Sequence, residues 1–334
     1  MTASQMTTPK RQIAFVADLN KCIGCQTCTV ACKRSWTGHA GQDFMYWRNV
    51  ETAPGQGYPR NWRAKGGGYV EADLQKGKRP TLAEYGVPFE FDYDGRLFQG
   101  KHERARPEPT PRGAPNWDEE QGAGNYPNNY FFFTPRMCNH CSRPACVEAC
   151  PNDAIYRRPA DGLNIINKDK CKGTGSCVEA CPYGKSFLNP KELKGNKCIG
   201  CYPRIEKGVA PACVAQCAGR AMHVGYLDDT NSSVHKLVIV HKVALPMFPQ
   251  FGTKPNVYYV PPALGPMMED AKGAPGDQPK IPMTMLEEMF GKGVGDVVAF
   301  IRGERARKAA GQPSPLMDVM IGARSADMMV LPQA

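Results

Sequence analysis

Apolar residues along this chain gather in short runs. Residues 12–16, 154–156, 163–166 and 221–224 each carry enough β-branched and aromatic character over a few positions to read as a brief strand. Asp161-Gly162 lies between the second and third of these runs and predicts a hairpin. Phe89, Phe91 and Tyr93 alternate with other residues before Asp94-Gly95, which predicts another. One helical stripe is legible late in the chain: Leu286, Met289, Phe290, Val294, Val297, Val298 and Ile301, ending in the charged residues 302–308. A stripe of that kind is core or a docking face. Pro261, Pro262 and Pro266 predict an extended arm ahead of it. The most apolar late stretch, residues 237–248, is interrupted by His241, Lys242 and Pro246. Nothing approaches the roughly 18 apolar residues of a membrane helix, so no direct membrane insertion is expected.

Composition accounts for the shortness of these elements. With 34 Gly and 30 Pro in 334 residues, much of the chain is turn and loop. Residues 41–130 form an insertion too long for an ordinary loop, punctuated by Gly55, Gly57, Pro59, Gly66, Gly67 and Gly68. Trp36, Tyr46, Trp47, Tyr58, Trp62 and Tyr69 lie in or beside its first part. Such a segment either packs over the core or is covered by a partner, and the pattern gives no reason for so many glycines.

The formal charge of +10 counts every cysteine as neutral, whereas metal-bound cysteines are thiolates. Lys and Arg are scattered rather than gathered on one face, so a solvated surface with counter-charge for anionic groups is expected, and no nucleic acid. Residues 1–20 lack the apolar core of a secretory signal. Folding among reduced thiols is therefore expected.

The 15 cysteines fall into four groups with none left over. Cys22, Cys25, Cys28 and Cys32 form the first, Cys138, Cys141, Cys146 and Cys150 the second. Cys171, Cys177 and Cys181 form the third, Cys198, Cys201, Cys213 and Cys217 the fourth. Disulfides fit poorly, because the count is odd and cysteines this close cannot all pair with good geometry. Structural zinc takes two cysteine knuckles set apart by a longer loop, and only the fourth group has that look. The first group has the spacing of bacterial ferredoxins, in which three thiolates wrap one cluster and the fourth ligates the other cluster of a pair. The third group has Thr174 where that spacing would place a cysteine. A missing ligand predicts a three-iron cluster, with a hydroxyl ligand from Thr174 as the alternative, since oxygen suits a soft site poorly.

Groups two and three are adjacent in sequence, with the hairpin between them, and are expected to form one two-cluster module. Groups one and four form the second, with strands 12–16 and 221–224 before and after. A pairing of groups one and two is the less economical alternative. The ligand exchange rule then gives Cys22, Cys25, Cys28 with Cys217; Cys32 with Cys198, Cys201, Cys213; and Cys138, Cys141, Cys146 with Cys181, each for a [4Fe–4S] cluster. Cys150 with Cys171 and Cys177 is left for a [3Fe–4S] cluster. The expected fold class is α+β: two bacterial ferredoxin-like two-cluster modules related by pseudo-twofold symmetry. Module A takes residues 1–40 with 186–234, and module B residues 131–185. The insertion is 41–130, and a C-terminal extension, 235–334, wraps on a larger partner. His140 sits inside the second group and either tunes a cluster or is a plain histidine. No nucleophile–base set, phosphate loop or paired carboxylates stand in a catalytic setting. A free-standing redox or nucleic-acid protein with structural clusters is the rival reading.

The run Leu19-Asn20-Lys21-Cys22-Ile23-Gly24-Cys25-Gln26-Thr27-Cys28, the Cys138-Asn139-His140-Cys141 loop, Lys197-Cys198-Ile199-Gly200-Cys201-Tyr202-Pro203-Arg204 and the non-cysteine at 174 resemble the iron–sulfur beta subunits of the dimethyl sulfoxide reductase superfamily of molybdenum enzymes. Nitrate reductase beta subunits look similar but are longer and usually carry tryptophan at the position of Thr174. Tyr46-Trp47-Arg48-Asn49-Val50-Glu51-Thr52 and Gly57-Tyr58-Pro59-Arg60-Asn61-Trp62 resemble the periplasmic (type II) branch, which holds oxyanion reductases and several dehydrogenases. The resemblance implies an alpha subunit carrying bis-molybdopterin guanine dinucleotide molybdenum, a haem-containing gamma subunit or c-type cytochrome, and no catalytic site in this chain. It also implies that module A faces alpha, that the three-iron site faces the haem protein, and that the protein is exported folded with alpha to the periplasm, the cytoplasm being the alternative.

Overall fold

A computed structural model describes residues 8–70, 73–85 and 122–322. The hairpin expected after Phe89 lies outside these residues. Apolar strand β1 (Ile13–Asp18) is buried along its whole length and leads into the first cysteine loop. The loop ends in helix α1 (Thr27–Trp36), which carries Cys28 and Cys32 inward. The insertion opens with β2 (Arg48–Ala53), also wholly buried although four of its six residues are polar. Beyond it come the short hairpin of β3 (Gly68–Val70) and β4 (Asp73–Gln75) and the single turn α2 (Leu82–Tyr85).

Strand β5 (Phe132–Met137) enters the second group and pairs antiparallel with β2, from Arg48 opposite Met137 to Ala53 opposite Phe132. The start of the insertion is thus zipped to the strand that feeds Cys138. Helix α3 (Ala145–Glu148) follows, then the expected hairpin of β6 (Ile155–Arg157) and β7 (Asn164–Ile166), then α4 (Ser176–Ala180). A further hairpin, β8 (Ser186–Asn189) with β9 (Lys194–Lys197), delivers the chain to the fourth group, whose turns are α5 (Tyr202–Ile205) and α6 (Ala212–Ala215). Helices α1 and α6 touch, as do α3 and α4.

Strand β10 (Met222–Tyr226) returns antiparallel to β1, with Phe15 opposite Val224. On the other edge of β1 a strand from the extension, β12 (Val257–Val260), runs parallel to it, and β11 (Leu245–Pro246) completes the order β10-β1-β12-β11. The extension is therefore part of the sheet that carries the first group. The chain after Pro261 is held along the first cysteine loop by Asn20, which donates to Pro261 O (2.9 Å) and accepts from Leu264 N (2.9 Å). A small hairpin of β13 (Met267–Glu269) and β14 (Pro275–Pro279) follows.

The late helical stripe divides into α7 (Met283–Phe290) and α8 (Val294–Ala309), separated at Gly291, whose φ of 93° no other residue adopts readily. Leu286, Met289, Phe290, Val294, Val298 and Ile301 are buried in the same apolar core as β1 and Cys28. The stripe is core. A last helix, α9 (Pro315–Gly322), presents Met320 O to the ammonium of Lys21 (2.8 Å), beside Cys22. Among the described residues no helix is long and apolar enough to cross a membrane.

Candidate metal-cluster sites

Each cysteine group opens with the same backbone device. Two residues after its first cysteine, φ turns positive: Gly24 (69°), His140 (42°), Gly173 (71°) and Gly200 (62°). An L side chain resists this region by roughly 1–2 kcal/mol, so three of the four positions are glycine. The reversal turns amides toward sulfur. His140 N donates to Cys138 Sγ (3.5 Å) and Gly200 N to Cys198 Sγ (3.3 Å). The last cysteines accept in a second repeated pattern, from the amide four residues on: Ala154 N to Cys150 (3.3 Å), Lys185 N to Cys181 (3.5 Å) and Ala221 N to Cys217 (3.2 Å). Such donors favour a thiolate over a thiol.

The residue just before the helix is left-handed at Gln26 (57°) ahead of α1 and at Gly175 (78°) ahead of α4. Gly173-Thr174-Gly175 thus repeats the positive-φ pattern of Gly24-Cys25-Gln26, and Thr174 stands where Cys25 stands in the first group.

The side chains gather across groups. Cys22 lies within electrostatic reach of Cys28 and Cys217. Cys32 faces Cys198, Cys213 and Cys201. Cys146 faces Cys181, Cys138 and Cys141. Cys177 faces Cys150 and Cys171, with Cys181 beyond them. Cys25 alone is exposed, at the rim of the first set. The four sets also follow one another in order, Cys213 lying within electrostatic reach of Cys28, Cys198 of Cys138, and Cys181 of Cys177. Burial pushes the thiol of Cys22 up to about 11 and those of Cys177 and Cys213 to about 12. Bonds from Thr27 lower Cys25. Most sites therefore hold their protons when empty and give them up on taking metal.

The donor sets are all sulfur, drawn three or four at a time from different groups, and such soft donors suit iron–sulfur clusters. Gly195 lies against the fourth set: a Cβ there would be 3.6 Å from both Cys171 Sγ and Cys177 Sγ, and the Gly195 amide donates to Cys171 Sγ (3.2 Å). The indole of Trp36 donates to Cys201 Sγ (3.1 Å) and the Thr27 hydroxyl to Cys25 Sγ (3.3 Å).

Thr174 is exposed, and the insertion reaches its backbone. Arg79 donates to Thr174 O (2.7 Å) and pairs with Glu179 (3.4 Å). The glycines of this segment now have a reason. A Cβ on Gly77 would stand 2.2 Å from Glu179 O, and one on Gly67 2.9 Å from the same atom. Only bare backbone approaches the end of α4 so closely.

His140 works through its amide, while its ring is tied elsewhere: Nδ1 accepts from Asn164 N (3.1 Å). Sequence reasoning missed two buried cations, Arg48 and Lys197, and the buried carboxylate of Glu51, which pairs with Arg136 (2.6 Å). A lone charged residue in a Gly- and Pro-rich stretch has no periodicity to mark it. Only adjacency to a cysteine pointed to Lys197.

Comparison with known proteins also indicates iron–sulfur cluster domains. Residues 19–41 match the 4Fe-4S binding domain family and residues 129–227 the 4Fe-4S dicluster domain family. The chain is 66% identical to the perchlorate reductase subunit beta of Dechloromonas aromatica (strain RCB), over 99% of both chains. It is 50% identical to the chlorate reductase subunit beta of Ideonella dechloratans, over 95% of this chain and 98% of that one. The selenate reductase subunit beta of Thauera selenatis is 49% identical over the same shares.

Proposed function

Because the chain belongs to the iron–sulfur electron-transfer beta subunits of the perchlorate, chlorate and selenate reductases, we propose that it carries three [4Fe–4S] clusters and one [3Fe–4S] cluster between a molybdenum-bearing alpha subunit and a haem-containing partner. The complex it serves is of the perchlorate-reducing kind, located in the periplasm. The carrying observation is that the 15 cysteines come from four distant groups, and that thiols of different groups lie within electrostatic reach of one another in four successive sets. The sets are Cys22, Cys25, Cys28, Cys217; Cys32, Cys198, Cys201, Cys213; Cys138, Cys141, Cys146, Cys181; and Cys150, Cys171, Cys177 for the three-iron group. The contacts of α1 with α6 and of α3 with α4 support two ferredoxin-like modules related by pseudo-twofold symmetry.

When bound, the clusters supply one-electron redox chemistry, at potentials set by type, charge and hydrogen bonding. The protein's own residues hold the thiols at fixed spacing, donate amides and an indole to sulfur, and exclude water with an aromatic insertion. Exposed Cys25, with Ile23 and Val30 each 62% exposed beside it, favours the first set as the side that meets alpha.

Low-temperature EPR with an iron assay on anaerobically purified protein tests this. About 15 irons per chain and an oxidised three-iron signal are expected, by ligand count. Thr174→Cys should raise the count to about 16 and abolish that signal. A three-iron signal that survives the substitution removes position 174 from the account, and bound zinc in place of iron overturns the whole reading.

A further inference from the structure

Five cationic side chains are buried among the described residues; Arg157 bonds Ser142 and Gln12, and the other four divide into two kinds. Arg136 and Lys185 face the carboxylate of Glu51. Arg48 and Lys197 face no carboxylate among the described residues, although they are only 1% and 2% exposed. Arg48 directs Nε to Cys28 Sγ (3.5 Å) and Nη2 to Met222 Sδ (2.9 Å), while Nη1 is buried without a hydrogen-bond partner. Lys197 donates to the carbonyls of Cys198 (3.2 Å) and Asn164 and reaches Cys138.

A buried cation without a counter-charge is strongly destabilising, so these two need an anion that the polypeptide alone does not supply. Their placement says which. Arg48 lies between Cys28 of the first set and Cys213 of the second. Lys197 lies between Cys198 of the second and Cys138 and Cys146 of the third. The charges bearing on Cys177 of the fourth set are those of Cys150, Cys171 and Cys181.

We propose that Arg48 and Lys197 are fixed counter-charges lodged at the first two junctions of the row, each easing reduction of the two clusters it separates. The proposal rests on the cluster reading above. Adding one electron makes a cluster one unit more negative. A cation already in place compensates that charge without a proton having to enter. The potentials on both sides of each junction are thereby drawn upward together, while the Cys150 set lies outside both fields.

The test is an EPR-monitored redox titration of the whole complex carrying Arg48→Met or Lys197→Met. In R48M the first two clusters should show a reduced-to-oxidised ratio about tenfold lower at a fixed poise, which is 59 mV for a one-electron couple. In K197M the second and third should shift likewise. The three-iron signal should titrate as in the wild type in both, an internal reference. Unchanged potentials in iron-replete variants overturn the proposal, as does an equal shift of all four clusters. Should R48M fail to take up iron, Arg48→Lys is expected to retain both iron and the wild-type potentials. If R48K also loses iron, the residue acts by shape and the proposal fails. Absence of iron from the wild type would instead overturn the cluster reading itself.

Discussion

Replacing Glu51 by glutamine strands two buried cations. Glu51 Oε1 accepts from Arg136 Nη1 (2.6 Å), Tyr58 N (2.9 Å) and Asn49 Nδ2 (3.0 Å), and its charge also faces Lys185. Arg136 stacks at 3.6 Å on the ring of Trp62, while the backbone amide of Lys185 donates to Cys181. One carboxylate therefore joins β2, β5, the insertion and the third cysteine group. Removing one partner of a buried ion pair costs about 3–5 kcal/mol. Glutamine keeps an acceptor oxygen, so the low end, about 3 kcal/mol, is expected, or roughly a hundredfold in the local opening equilibrium. Hydrogen exchange with mass spectrometry on the iron-loaded protein reads this directly. Amides of Arg48–Ala53 and Phe132–Met137 should exchange roughly a hundredfold faster, while Ile155–Arg157 is unaffected. Adding Lys185→Met should recover part of the loss, because one stranded charge is gone. Acid makes the same perturbation. Burial pushes the Glu51 carboxyl up, but Arg136 and Lys185 outweigh it and hold it below its ordinary value. The stabilisation is thus whole above the unfolded carboxyl pKa of about 4.3 and is lost only as pH falls through the lower folded value. Protection within threefold of wild type in E51Q, or a further loss on adding K185M, would refute this reasoning.

Two other perturbations follow from the same structure. Burial, and after it Lys21, lowers His223 from 6.5 to about 4. Its contribution is therefore full above about pH 6.5 and fades toward pH 4, by roughly 3 kcal/mol in all. His223→Gln should flatten that part of a denaturation-against-pH curve. Gly77→Ala places a methyl 2.2 Å from Glu179 O, and the insertion must lift from α4 at a cost of at least about 1–3 kcal/mol. Faster exchange confined to Ser176–Ala180 is the expected result, and unchanged exchange there would show that the contact is dispensable.

What was legible in the sequence was what is local. Cysteine spacing encodes the loops because each loop reverses within three residues. The β6–β7 hairpin announced itself by its turn, and β1 and β10 by short apolar runs. The pairing of β2 with β5 was hidden, because Arg48, Asn49, Glu51 and Thr52 are buried polar residues that break the usual alternation. The parallel docking of β12 on β1 joins residues more than 200 positions apart, beyond any periodicity. The late stripe has helical spacing in the sequence, yet its division at Gly291 depends on a backbone angle that composition only hints at. At the sites the thiols were legible and their charged surroundings were not, since a buried arginine looks the same in sequence as an exposed one.

The position of β1 between β10 and β12 also governs the order of events on the ribosome. Synthesis proceeds from the N-terminus at about 5–20 residues per second, so roughly 10–50 s separate the emergence of Asp18 from that of its neighbour Val260. Until Met222 emerges the first cysteine loop lacks both flanking strands, and until Val260 emerges it lacks one, whereas the stretch from Phe132 to Ala180 has its hairpin and both its helices at hand. The sheet at the end bearing Cys25 can therefore be completed only after Val260 has been made, whereas the central part of the chain has its own partners earlier.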